Sequence, residues 1–504
     1  MLLGLRMGER ARAGSIDKVP AVRRLVAAAL ALLMMTCVRS ASDVADRGRW
    51  LYEVDVPASG TRIVVQATFE RARTPTLVIP RGRGAWIESV AARGRGGVYR
   101  SVERRGADWF EPTCEERCTI RYTVNLDELA RSCGDEVDCA RRVGSAVLSP
   151  SMAWLLHPSP RSDVPVEVRV RAEEPARFAT GMSAMGQRAS AYAFRSFDLD
   201  EGSFTAFGPM RRTRLELPGR RGTDARLDVV LLGDVRYAMS DDAIVSWVSD
   251  AAHATASLFG RFPVDHATVF IVPSRGEDEV VFGKVLSLAG ASVVMLLGDR
   301  MESRARHDDW VLVHELIHLG FPTFRGEGRW LGEGLATYLE PLARARAGWI
   351  REEEVFRQFA QSMARASAPG GPSVGLASRT DVDGIYWGGA LFSLLTDVRI
   401  RQETRGEKSL EDVMRAILEL GGDATRVWTV NEIVTLADRV TGTHVMTEMY
   451  ERHALHAERM DSDALMSALG VVEGHEQLDD SRELSWIRKG LIQSTESMHL
   501  ARRR

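Results

Sequence analysis

The sequence predicts an α+β chain in three parts: an N-terminal antiparallel β-sandwich domain, a unit of mixed strands and helices, and a mostly helical C-terminal part. Three observations carry this. From about 48 to 215, short alternating or β-branched runs recur between Gly-, Pro- and Arg-rich turns. From about 216, strand-like apolar runs alternate with a long helical pattern. Beyond 341 the periodicity is almost entirely helical.

The first part rests on WLYEVDV (50–56), TRIVVQATFE (61–70), TPTLVIP (74–80), CTIRYTV (118–124) and VPVEVRVRA (164–172). Their spacing is that of an antiparallel sandwich. AARGRGGV (91–98) between them reads as an exposed hairpin loop, with an anion site as the weaker alternative. In the second part RLDVVLLGD (226–234), ATVFIVPS (267–274) and GASVVMLLGD (290–299) read as strands. A helix over 241–259 separates the first two, capped by Ser240 or Asp241. Helices are then expected over 351–366, 386–402, 408–420, 429–439, 444–457 and 461–468, with a Gly/Pro/Ser-rich loop at 367–384 near any cleft.

A length of 504 residues exceeds one core and suggests two or three domains. The expected division is a leader (1–42), a β domain (43–215), a strand-and-helix unit (216–345), a helical unit (346–475) and a charged tail (476–504). A net charge of −3, with arginines interspersed among acids, gives no field for nucleic acid or anionic lipid. No nucleic-acid partner is expected.

Arg23 and Arg24 precede LVAAALALLMMTCV (25–38), which is short for a membrane span and right for a secretory signal. Ser40-Ala41-Ser42 supplies the small residues for cleavage after Ser42. Cys37 offers a lipid anchor as the alternative, although Met34-Met35-Thr36 makes a poor lipobox. The chain is thus expected to be exported, periplasmic or extracellular, with no membrane span after signal removal. The four cysteines beyond the signal, Cys114, Cys118, Cys133 and Cys139, then read as two local disulfides with three connectivities open. A zinc knuckle competes, but C-x3-C and C-x5-C suit ribbon sites poorly.

Residues 310–341, WVLVHELIHLGFPTFRGEGRWLGEGLATYLEP, hold the chemistry. His314 and His318 are four apart, about 400° of helix, so they share one face one turn apart, as two ligands of one metal require. Glu315 lies about a third of a turn round, where it can act on a water without being a ligand. Trp310, Val311, Leu312, Val313, Leu316, Ile317 and Leu319 make this a buried helix, whose polar groups need partners. Zinc needs a third protein ligand and an open position. Glu333 lies among apolar residues at the start of the next helix and is the candidate, with Gly332 and Gly334 permitting close backbone approach. Glu327 and Glu340 are the runners-up, and both read as solvated.

This arrangement resembles the gluzincin metallopeptidases, in which a helical H-E-x-x-H is followed by an N-E-G-F-A-x-Y-type segment. Gly332-Glu333-Gly334-Leu335-Ala336-Thr337-Tyr338 corresponds to it. Within that clan the chain is most similar to the bacterial glycyl aminopeptidase family. Tyr386-Trp387-Gly388-Gly389-Ala390-Leu391, running on to DVRIRQETRGEKSLEDVMRAI, matches that family's Y-x-K-G-A-L segment and the stretch C-terminal to it. Looser likeness extends from about 190–208 to LMSALGV at 465–471. Members usually continue into a PDZ domain, for which the residues after 475 are too few.

The resemblance implies a thermolysin-like zinc peptidase unit behind the β domain, acting on peptide or protein substrates. His314, His318 and Glu333 would hold Zn²⁺, with Glu315 as general base and Tyr386 as oxyanion donor. It also implies that the strand at 290–299 borders the cleft and takes substrate backbone through Gly290 and Ala291. Aminopeptidases of the clan carry a Glu there for the substrate amine, and Ala289-Gly290-Ala291-Ser292-Val293-Val294 has no acid. Either cleavage is internal or Glu327 takes the amine. The alternative function is a non-catalytic peptide-binding protein on the same fold, with or without metal.

Overall fold

The structure, a computed structural model, describes residues 48–493 apart from 59, 80–83, 95, 135, 137–138, 174–177, 187–189, 325, 368–373, 473–476 and the side chains of Arg221 and Glu327. The expected signal, Cys37 and residues 494–504 of the tail lie outside the described residues. By compactness the chain divides into residues 1–49 and 50–504. The second unit holds every described strand and helix.

Its first 160 residues are mostly strand. Trp50–Val56 buries Trp50, Tyr52, Val54 and Val56 in strict alternation, the period-2 signature that the sequence displays. It lies in a seven-stranded sheet ordered Ala191–Arg195, Pro165–Ala172, Trp50–Val56, Arg62–Glu70, Arg117–Asn125, Ile87–Arg93 and Tyr99–Ser101. Trp50–Val56 runs parallel to Pro165–Ala172, so the expected antiparallel sheet contains one parallel pair. Two four-stranded sheets face it, and their residues Leu77, Trp109, Val147 and Phe207 share its apolar core. The buried phenols of Tyr52 and Tyr122 donate to the carbonyls of Leu156 and Trp154, which satisfies them without water. Cys114 is bonded to Cys118 and Cys133 to Cys139, the sequential pairing among the three open ones.

A five-stranded sheet follows: β1 (Met210–Pro218), β2 (Asp224–Leu232), β3 (His266–Ser274), β4 (Val280–Leu286) and β5 (Ala291–Gly298), in the order β1-β2-β3-β5-β4. The pairs β2/β3 and β3/β5 are parallel, and the outer pairs are antiparallel. Helix α1 (Asp241–Phe259) makes the β2-to-β3 crossover, capped by the Ser240 hydroxyl and closed by Gly260 at φ 75°. Sheet faces alternate cleanly along β5. Val293, Met295 and Leu297 join the helical core, whereas Val294 and Leu296 join a smaller core with Leu148, Ala179, Phe204 and Ala206 of the β-rich part.

The position of β5 corrects one expectation. The strand at 290–299 is interior, and the sheet edge beside the helices is β4. Gly290 is buried against the β-rich part, and the Ala291 side chain is buried in the helical core. A Cβ on Gly290, at φ 135°, would lie 2.2 Å from the Gly181 carbonyl oxygen. Ser292 accepts the Phe204 N–H at 2.9 Å and donates to the Leu286 carbonyl, and Thr268 donates to the Thr180 carbonyl. These residues join sheets.

The remainder is helical, as expected: α2 (Val311–His318), α3 (Arg329–Arg346), Glu352–Ala366, α4 (Gly389–Glu403), Leu410–Glu419, Val430–Thr441, Val445–Met449 and Ser462–Leu469. One further helix, Ser485–Ile492, stands where only a charged tail was expected, and it buries Ile487 and Leu491. Among the described residues no helix is long and apolar enough to cross a membrane.

Candidate metal centre

Helix α2 is apolar on nearly every face, and Leu312, Val313, Leu316 and Ile317 are fully covered. Asp309 starts it, accepting the Val311 and Leu312 N–H groups and so answering two donors that a helix start leaves open. Burial pushes the Asp309 carboxyl up to about 6 against those hydrogen bonds. His314 and His318 leave the same face, and their Nε2 atoms are 3.2 Å apart.

Helix α3 brings the third group. Glu333 Oε2 is 3.4 Å from His314 Nε2 and 3.3 Å from His318 Nε2. Gly334, the next residue, lets α3 touch α4 backbone to backbone: a Cβ there would be 2.3 Å from the Gly389 carbonyl carbon. Tyr338 Oη, one turn on, donates to Asp397 Oδ2 at 2.7 Å, and Asp397 in turn receives Arg401 Nε at 3.1 Å. Both are buried, so α3 and α4 are fixed by apolar packing and by a satisfied polar network.

Three ligand atoms 3.2–3.4 Å apart fit one small cation. Tetrahedral coordination at about 2.0–2.1 Å spaces its ligands by about 3.3 Å. Two imidazole nitrogens and a carboxylate are a donor set suited to zinc. Burial alone would raise Glu333, but His318 and His314 outweigh it and hold its carboxyl well below the usual carboxylate range. The sequence-expected trio is therefore brought together.

Glu315 points from the same helix toward β4, where a Cβ on Gly283 would lie 2.5 Å from its Cγ. Loss of water pushes its carboxyl up to about 7, with Glu333 adding and His314 and Lys284 opposing. Tyr386 sits in a wide turn, Gly384–Gly388, that runs into α4, with its ring stacked 6.1 Å from that of His314. Wide turns of this kind recur at functional sites. Burial and the Glu333 charge push its hydroxyl up to about 12, so it remains a proton donor.

These groups line a cleft of about 470 Å³. The sequence did not reveal its other walls: Phe282, Gly283 and Lys284 from β4, Glu201 from the β-rich part, and Arg329 at the start of α3. The signal available was VVFGKVL (280–286), a β-branched run beside the stronger one at 290–299. Glu340 corrects a second expectation. It is 6% exposed and paired at 3.0 Å with Arg344, which also binds the His307 and Asp308 carbonyls ahead of α2. The Glu327 side chain lies outside the described residues.

No protein-family model matches the chain, and no curated protein does. Solved structures do. An aminopeptidase N family protein from Idiomarina loihiensis superposes with a TM-score of 0.61 at 17% identity, over 84% of this chain and 78% of that one. An M1 zinc metallopeptidase from Deinococcus radiodurans, solved as a single-residue mutant, gives 0.51 at 16% identity, over 82% and 94%. The same enzyme has been solved with a Tyr-Ser-Ala substrate, and that structure gives 0.50 at 15% identity, over 80% and 92%. This chain has the fold of the M1 zinc metallopeptidases. A β-rich N-terminal part, a sheet-edged cleft and a helical C-terminal part stand in that fold's order.

Proposed function

We propose that the chain is a zinc-dependent metallopeptidase that hydrolyses peptide bonds. The convergence of His314, His318 and Glu333 beside Glu315 carries this reading. His314, His318 and Glu333 would hold the ion, and Zn²⁺ bound there would supply a Lewis acid for carbonyl polarisation and water activation. Glu315 takes the proton of the attacking water and hands it to the leaving amine, a transfer favoured by a carboxyl poised near neutrality. Tyr386 donates its O–H to the carbonyl oxygen as that atom gains charge. The free edge of β4 offers backbone groups to an extended substrate, and Gly283 keeps that edge close to Glu315.

Glu315 argues against a purely binding role, because a scaffold that only holds metal and peptide has no use for a general base. The narrower likeness to glycyl aminopeptidases rests on sequence motifs. No acid stands on β4 to hold a substrate amine. Internal cleavage is the finer reading we favour. The two disulfides suit export to an oxidising compartment.

The test is metal content together with cleavage of a peptide pool bearing free or blocked N-termini. We expect about one zinc per chain, loss of cleavage on chelation, and a fall of roughly 10²-fold or more in kcat for Glu315→Gln with zinc retained. Equal cleavage by wild type and mutant would remove the enzyme reading.

A further inference from the structure

The charges along the cleft are unevenly committed. Of its three carboxylates, Glu333 faces the histidine pair, Glu201 receives the Ser287 N–H, and Glu315 faces Gly283 across the helix–strand contact. Of its two cations, Arg329 approaches Glu333 Oε1 at 3.9 Å. Lys284 is different. It is half-buried, lines the cleft from β4, and makes no ion pair or hydrogen bond with any described residue. Its charge is felt through space by Glu315, but no carboxylate among the described residues stands in ion-pair contact with it.

Its placement is fixed by register. Lys284 pairs with Val294 and Gly283 with Met295. Lys284 therefore leaves the sheet on the face of Val294 and Leu286, toward the β-rich part, while Gly283 faces Glu315. A chain extended along β4 passes Glu315 on one face and an uncommitted cation on the other. The ion that the histidine pair would hold adds further positive charge to the same space.

We propose that the cleft selects substrates carrying a carboxylate next to the scissile bond, with Lys284 as the specificity-determining partner of that carboxylate. This rests on the peptidase reading above. The carboxylate has two sources, an Asp or Glu side chain or the free C-terminus of a short peptide, and matched peptides separate them.

The experiment uses the zinc-loaded chain with peptides that differ only as Asp/Glu against Asn/Gln, each with a free or amidated C-terminus. Wild type is expected to favour the acidic member by about tenfold in kcat/KM, a preference that shrinks as salt rises. Lys284→Met should bring the ratio near unity, Lys284→Arg should keep it, and Lys284→Glu should turn it toward basic peptides. Dissociation constants measured on Glu315→Gln should give the same ratios without turnover. A preference confined to free C-termini identifies the terminal carboxylate as the source; one that survives amidation identifies the side chain. A wild-type ratio near unity, or a ratio unchanged in Lys284→Met, overturns the proposal. So does a Lys284→Met variant whose only change is a shifted pH profile of kcat, which would assign the lysine to Glu315. Binding preference without hydrolysis in wild type would sink the peptidase reading and leave this one standing.

Discussion

Tyr386→Phe removes one hydroxyl from the wall of the cleft and leaves its ring stacked on His314. Kinetics on a cleaved peptide should show kcat falling by roughly 10²-fold while KM barely moves, as for a donor used mainly in the transition state. Asp228, far from the cleft, is a buried carboxylate held by Arg212, by Arg214 at 2.9 Å and by His266 at 3.0 Å. Burial alone would raise it, but His266, Arg214 and Arg212 outweigh that and hold it below the ordinary range. A depressed carboxylate stabilises the fold above its unfolded value, near about 3.9, and that contribution is lost as pH falls through the folded value. Thermal melts of Asp228→Asn should therefore show a loss of about 3–5 kcal/mol at neutral pH and a weaker acid dependence than wild type. The histidine pair and Glu315 were legible in the sequence because spacing on one helix is local, and Glu333 because an acid among apolar residues on the next helix needs a partner. The burial of Glu340 was not, because its partner Arg344 is fixed by the carbonyls of His307 and Asp308, more than thirty residues earlier.

Helix α3 holds Glu333 in place through the glycine contact with α4. A methyl at Gly334 meets backbone, which cannot turn aside as a side chain can. Gly334→Ala should cost about 1–3 kcal/mol in denaturant unfolding and reduce zinc affinity with it. Long apolar-periodic elements such as α1 were legible to within a residue, because their pattern repeats over many turns. Edge strand β4 escaped because a partly exposed, lysine- and glycine-bearing strand has no buried alternation to announce it, whereas β5 is buried throughout and apolar apart from Ser292. The wide turn at Gly384–Gly388 was split between a loop ending at 384 and a helix beginning at 386, since one extra residue in a turn leaves no trace in composition.

Across residues 50–504 the apolar cores are shared between parts that the sequence separates, and boundaries near 215 and 345 remain our proposal. The strand Met210–Pro218 already belongs to the five-stranded sheet. The disulfides, by contrast, act locally. They close separations of 4 and 6 residues, so replacing either pair with serine should cost about 2 kcal/mol by loop entropy. Zinc content should be unchanged in those variants, because the bridges lie in the β-rich part and the ligands in α2 and α3. The general class was legible from the order of strand-rich and helix-rich stretches, and the interior place of β5 was not, because strand order is a property of the assembled sheet. The bolt formed by Ser292 and Thr268 sets a limit for anyone trimming the chain. A fragment begun at residue 216 would keep every ligand yet expose Phe270, Val272, Val294 and Leu296 and strand the Thr268 hydroxyl. Such an excised fragment should precipitate on expression, so the β-rich part is a permanent lining of the part that carries the candidate site and not a detachable accessory.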